Sequence, residues 1–141
     1  MKPWIGVDFD GTLVTHAYPK IGEPIQAMID RIKGWLREGT YDVRIFTARV
    51  GPGEDGRRTV AEEITLIQDW LETQNLPRLP VTATKDFMMV QLWDDRAVEV
   101  EKDSGRLITD IWWNKGYDSG YKAGYGEGYE AGYTAGQEDA Y

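Results

Sequence analysis

The chain contains no cysteine. That excludes disulfides, thiolate metal sites and cysteine nucleophiles together, and it fits a reducing, cytoplasmic setting. Histidine is nearly as scarce. His16 is the only one, so neither a multi-histidine metal site nor a histidine relay can be built. No apolar run approaches the ~18 residues that cross a bilayer. The start, Met1 to Phe9, is too soon interrupted by acids to read as a signal peptide. Positive charge is also in deficit. A formal net charge of −8 argues against extensive contact with nucleic acid or an anionic membrane, both of which are driven by cationic surface. A local basic patch can still hold one phosphate. If the protein is an enzyme, carboxylates carry most of its chemistry.

What is present suffices for one globular domain: 141 residues, 41% hydrophobic and 28% charged, long enough to enclose a core and short for two. Ile5-Gly6-Val7 reads as a short buried strand running straight into Asp8-Phe9-Asp10-Gly11-Thr12. A turn-rich loop, Thr15 to Gly22, leads to Pro24 at an expected first helical position. Ile25, Met28, Ile29, Ile32, Trp35 and Leu36 then recur at helical steps until Gly39 closes the stripe. Val43 to Phe46 is a second strand, ending at Thr47. After the glycine-rich loop 51–56, Thr59 and Glu62 form a capping-box pattern, and Val60, Ile64, Ile67 and Leu71 line a second helix. Val81-Thr82-Ala83 and Met88 to Trp93 read as further strands, the latter ending at Asp94-Asp95, with Val98 to Val100 as a candidate last one. This alternation predicts an α/β fold: an open, Rossmann-like parallel sheet in three layers, with helices on both faces. In such sheets function gathers beyond the carboxyl ends of the strands, where Asp8, Asp10, Thr47, Asp94 and Asp95 all fall.

Asp8 and Asp10, two apart, face the same side of an extended segment, and Gly11 allows the sharp turn that follows. Carboxylates held this close repel unless a cation sits among them. With Asp94 and Asp95 at another strand end, the set suits a hard divalent cation, and all-oxygen ligands favour magnesium over zinc. The competing reading, that Asp8 and Asp10 only shape a turn, loses weight once the second acidic pair is counted. A carboxylate can attack phosphorus, a second can protonate the leaving oxygen and then activate water, and a hydroxyl and a cation can hold the phosphoryl oxygens. Asp10, Thr47 and Lys85 supply one of each.

These segments resemble the haloacid dehalogenase superfamily. Asp8-Phe9-Asp10-Gly11-Thr12-Leu13-Val14 after a hydrophobic strand is similar to its first motif, Phe46-Thr47-Ala48-Arg49 to its second, Lys85 to its third, and Leu92-Trp93-Asp94-Asp95 to its fourth. The four occur in order over residues 4 to 96. The resemblance implies a phosphohydrolase domain over residues 1–112 that hydrolyses phosphomonoesters through an aspartyl-phosphate. In it Asp8 is the nucleophile and Asp10 the general acid and base. Thr47 and Lys85 bind phosphoryl oxygens, with Lys85 restraining Asp8. Mg2+ is held by Asp8, the Asp10 carbonyl and Asp94, and by Asp95 either directly or through water. Asp10 followed by Gly11-Thr12 resembles the phosphatases within the superfamily rather than the dehalogenases or ion pumps.

The stretch from Thr12 to Pro24 has room only for a small flap, and Leu76 to Thr82 for no domain, so the chain resembles the members with a minimal cap. Their open sites suit bulky or polymer-borne phosphates or are closed by another subunit; a nucleotide or a nucleic-acid-end phosphate is one candidate class. Arg49, Arg57 and Arg58 are candidate contacts to the substrate's phosphate or base, against the alternative that they are solvated or paired with acids. Arg96 is expected to pair with Asp94 or Asp95.

From Gly116 the chain repeats Gly-Tyr every four residues to Gly132-Tyr133. Each interior glycine costs a helix roughly 1 kcal/mol, yet the four-residue step groups glycines and tyrosines on adjoining sides, and small residues let helices approach closely. Residues 113–141 therefore read as a separate tail, helical and used for self-pairing or for docking onto another protein, or else as a flexible segment. The alternative for the whole chain is a non-catalytic scaffold of the same fold whose tail mediates association. Transfer of the phosphoryl group to an acceptor other than water is indistinguishable from hydrolysis at this level.

Overall fold

The computed structural model describes residues 2–53 and 58–109. Residues Trp4 to Ala97 belong to one compact unit. Its core is a four-stranded, wholly parallel sheet in the order β3-β2-β1-β4, built from β1 (Trp4–Val7), β2 (Asp42–Phe46), β3 (Val81–Thr82) and β4 (Met89–Trp93). Two helices, α1 (Gln26–Glu38) and α2 (Val60–Thr73), follow β1 and β2. The sheet is the open α/β arrangement expected from the alternating pattern.

Both helices pack into one core. Met28, Ile29 and Ile32 from α1 and Ile67 and Leu71 from α2 meet Ile5, Val7, Val43 and Ile45, which alternate along the two central strands. Fully burying such side chains is worth about 1.5–3 kcal/mol each. The intervening residues face the other way: Trp4 Nε1 donates to Asp86 at 2.8 Å, and the Arg44 guanidinium lies 4.4 Å over the Trp4 ring. Among the described residues no helix covers that second face, because the connection from β3 to β4 is a short crossing rather than a helical one. The expected second helical layer is thus not formed by these residues.

Local boundaries differ where side-chain chemistry outweighs pattern. Pro24 does not open α1; it bridges to Val14, and Ile25 is the N-cap residue without a side-chain cap. Thr59 caps α2, its hydroxyl accepting from the Glu62 N–H at 3.1 Å. On α2 the expected inward Val60 is exposed, and the charged Glu63 is buried in its stead. The segment Val98 to Val100 is not a strand; Val100 makes an isolated antiparallel bridge to Leu107. That bridge belongs to a second unit beginning at Val98, whose turn is tied by the Arg106–Glu101 ion pair at 2.9 Å. No helix among the described residues is long and apolar enough to cross a membrane. The expected helical Gly-Tyr tail, residues 113–141, and Arg57 lie outside the described residues.

Candidate active site

The strand ends deliver the acids. β1 and β4 are adjacent and in register with Val7 opposite Trp93, and the Asp8 N–H donates to the Trp93 carbonyl at 2.9 Å. Asp8 and Asp94, each the next residue along its strand, therefore leave the sheet side by side. Trp93 is anchored in turn by Trp35 of α1, with ring centroids 5.2 Å apart. Phe9 is fully buried and meets Trp70 of α2 edge-on at 5.4 Å. This inward residue sends its neighbours Asp8 and Asp10 to the opposite, cavity-lining side.

Carboxylate oxygens of Asp8, Asp94 and Asp95 all lie within 4.8 Å of one another. The Thr12 hydroxyl sits 3.2 Å from both Asp8 Oδ2 and Asp95 Oδ1, able to donate to one at a time, while it accepts from the Asp95 N–H at 3.0 Å. Gly11 makes this turn possible. Its φ is +91°, and a Cβ there would stand 2.6 Å from Asp95 Oδ2. Asp94 accepts from the Arg96 N–H at 2.8 Å. The Asp8 carboxyl is pushed up to about 7, first by burial, then by the Asp94 charge and by its contact with Asp95, against the Phe9 N–H and the Thr12 hydroxyl. Three acids with no cation of the protein paired to them among the described residues form an all-oxygen donor set, one that fits a hard divalent ion such as Mg2+.

Asp10 is handled differently. Its two carboxylate oxygens accept from Arg49 Nε and Nη2, both at 2.7 Å. The Arg49 side chain is 2% exposed and also donates to the Pro19 carbonyl at 3.3 Å, the Lys20 carbonyl at 2.7 Å and Glu63 Oε2 at 3.5 Å. Burial, the largest single influence, pulls its pKa down, but the carboxylates of Asp10 and Glu63 together raise it above its already high value. Glu63, equally buried, bonds Arg58 at 3.2 Å, and Arg58 reaches the Pro19 carbonyl at 2.9 Å. Arg49 and Arg58 are thus paired with acids. Glu63 was not singled out in the sequence, although an acid in register with Ile67 and Leu71 on a buried helix stripe is a legible signal.

Asp8, Asp10, Thr47, Arg49 and Asp94 line one cavity of about 470 Å³, together with His16, Tyr18, Arg58 and Arg96. Thr47 is buried at the end of β2, where its hydroxyl accepts from the Arg49 N–H at 3.2 Å and caps the short 3-10 turn Ala48–Val50. Asp95 joins the acidic cluster but not the cavity wall, and Lys85 is exposed in the β3–β4 crossing, also outside that wall. Arg96 makes no side-chain ion pair with Asp94 or Asp95 among the described residues; only its backbone N–H meets Asp94.

No protein-family model and no curated protein matches the chain. Among solved structures, a conserved protein from Bacteroides thetaiotaomicron is similar, at 23% identity and a TM-score of 0.51, over 70% of this chain and 79% of that one. At this identity the likeness concerns the fold alone.

Proposed function

We propose that the protein is a Mg2+-dependent phosphomonoester hydrolase of the haloacid dehalogenase type, working through an aspartyl-phosphate on Asp8. The observation that carries this reading is the convergence of Asp8, Asp94 and Asp95 oxygens within 4.8 Å, at the edge of a cavity that also holds Asp10 and Thr47. Asp8, Asp94 and Asp95 are the residues that would hold the ion. Bound there, a divalent cation offsets negative charge on the phosphoryl oxygens.

The chain's own residues account for the rest. An Asp8 carboxylate oxygen forms a bond to phosphorus as the ester P–O bond breaks, and Asp10 gives its proton to the departing oxygen. Asp10 then takes a proton from water as that water attacks phosphorus, releasing inorganic phosphate and restoring the Asp8 carboxylate. In this reading Thr47, which lines the cavity, donates a hydrogen bond from its hydroxyl to a phosphoryl oxygen. Arg96 is the cavity-lining cation without an acidic partner among the described residues, so it is the favoured counter-charge; the resemblance assigns that role to Lys85. A volume of about 470 Å³ falls in the ~300–1,000 Å³ range of small-molecule sites, which supports a small phosphate ester of nucleotide size.

The test is a panel of phosphate monoesters assayed with Mg2+ and with EDTA. Hydrolysis that needs the metal and disappears in Asp8→Asn is the expected result. Turnover unchanged in Asp8→Asn, or none on any ester, overturns the reading.

A further inference from the structure

The geometry points to Arg49 as a positioning residue that joins Asp10 to the flap over the cavity, rather than as a contact to substrate. The inference rests on the phosphohydrolase reading for its catalytic consequence, and on contacts alone for the mechanical link.

The flap is the loop between Thr15 and Glu23. Its neck is closed by the Thr15 N–H donating to the Glu23 carbonyl at 2.9 Å and the Glu23 N–H donating to Thr15 Oγ1 at 2.8 Å. Gly22 packs so tightly there that a Cβ would lie 1.9 Å from the Thr15 carbonyl oxygen. Beyond this neck the loop carries His16 and Tyr18 to the cavity wall. What ties down its far side is arginine. Arg49 donates to the carbonyls of Pro19 and Lys20, Arg58 to that of Pro19, and the Arg49 guanidinium lies 4.9 Å from the Tyr18 ring centroid. The remaining donors of the same guanidinium grip both oxygens of Asp10. One rigid planar group thus fixes a proposed proton donor and a wall of the substrate cavity at once.

A substrate contact would need guanidinium donors left over. Arg49 has five N–H groups, and they face Asp10, Glu63 and two carbonyls in a pocket that leaves its side chain 2% exposed. Asp10 keeps acceptor capacity of its own, since each carboxylate oxygen has a second lone pair and the residue lines the cavity. Glu63 and Arg58 brace the arrangement from α2 and its entry. Movement of the flap is therefore felt at Asp10, and loss of the Asp10 charge is felt in the flap.

The experiment uses the full chain, with p-nitrophenyl phosphate and Mg2+ as the kinetic probe and amide hydrogen exchange as the structural one. In Arg49→Gln, kcat should fall about 100-fold, the scale of a misplaced catalytic group, with KM within about threefold. Exchange across 16–22 should quicken about tenfold while α1 keeps its protection. Arg49→Lys should recover little, since one ammonium cannot span two carboxylate oxygens. Asp10→Asn should also loosen the flap, and it decides the matter if Arg49→Gln fails to fold. A raised KM with kcat retained makes Arg49 a substrate contact and overturns the proposal. So does flap exchange unchanged in both Arg49→Gln and Asp10→Asn. If the wild-type chain hydrolyses no ester, the phosphohydrolase reading fails on its own, and the exchange arm still decides the link.

Discussion

Asp8 and Asp94 come from strands that are neighbours in space and far apart in the chain, and the Asp8 N–H bonded to the Trp93 carbonyl at 2.9 Å fixes their carboxylates side by side. Burial in the first place, and the neighbouring Asp94 charge in the second, raise the cost of ionising Asp8.

That cost predicts a pH effect on stability. The folded Asp8 titrates at about 7 against an ordinary 3.8, so between those values the native state binds more protons than the unfolded chain. Stability of the metal-free protein should therefore fall as pH rises from about 4 to about 7 through this group, with the penalty complete above 7. Asp8→Asn removes the ionisation. In EDTA at pH 8 the variant should melt higher than the wild type, and the gap should close at pH 4. A variant less stable than the wild type at pH 8 contradicts the cost assigned to the buried, ionised Asp8.

Mg2+ should supply what the acids lack. An ion bound only by the native state adds about 2.7 kcal/mol at a hundredfold excess over its Kd. Thermal melts with and without Mg2+ should show that gain in the wild type and lose most of it in Asp94→Asn. An equal gain in Asp94→Asn would place the ion elsewhere.

Arg96 and Lys85 compete for one role. Lys85 lies outside the residues lining the cavity, and Arg96 is among them. Arg96→Gln should lower kcat/KM by about 10²-fold, the scale of losing one donor to a developing charge, and Lys85→Gln should change it little. The reverse ranking would restore the role the resemblance assigns to Lys85.

Gly11→Ala tests the turn that carries the first acids. The position has φ +91°, and the added methyl would sit 2.6 Å from Asp95 Oδ2. A loss of about 1–3 kcal/mol in urea denaturation is expected from backbone strain and displaced carboxylate, together with weaker Mg2+ binding. Unchanged stability and metal affinity would show that the turn tolerates a side chain.

Much of this was legible in the residues. The strand and helix periods of 5–7, 25–36, 43–46, 60–71 and 88–93 depend on local alternation and spacing, and the sheet and both helices formed where those periods lay. The gathering of Asp8, Asp94 and Asp95 could be expected because parallel strands release their ends along one edge. Charged side chains facing inward were the harder part. Glu63 occupies a stripe that pattern alone gives to apolar residues, and it is buried because Arg49 and Arg58 neutralise it.

The sequence by itself determined the main strands and helices, the order of the acidic motifs and the lack of any thiol chemistry, multi-histidine metal site or histidine relay, since these follow from composition and short-range period. Only the tertiary structure decided which cation meets which acid. Arg49 is drawn onto Asp10, Lys85 is left outside the cavity wall, and Arg96 is left unpaired beside it among the described residues. Ion pairing depends on distances of a few ångströms between side chains remote in sequence, and no spacing along a chain encodes those distances before the strands have assembled.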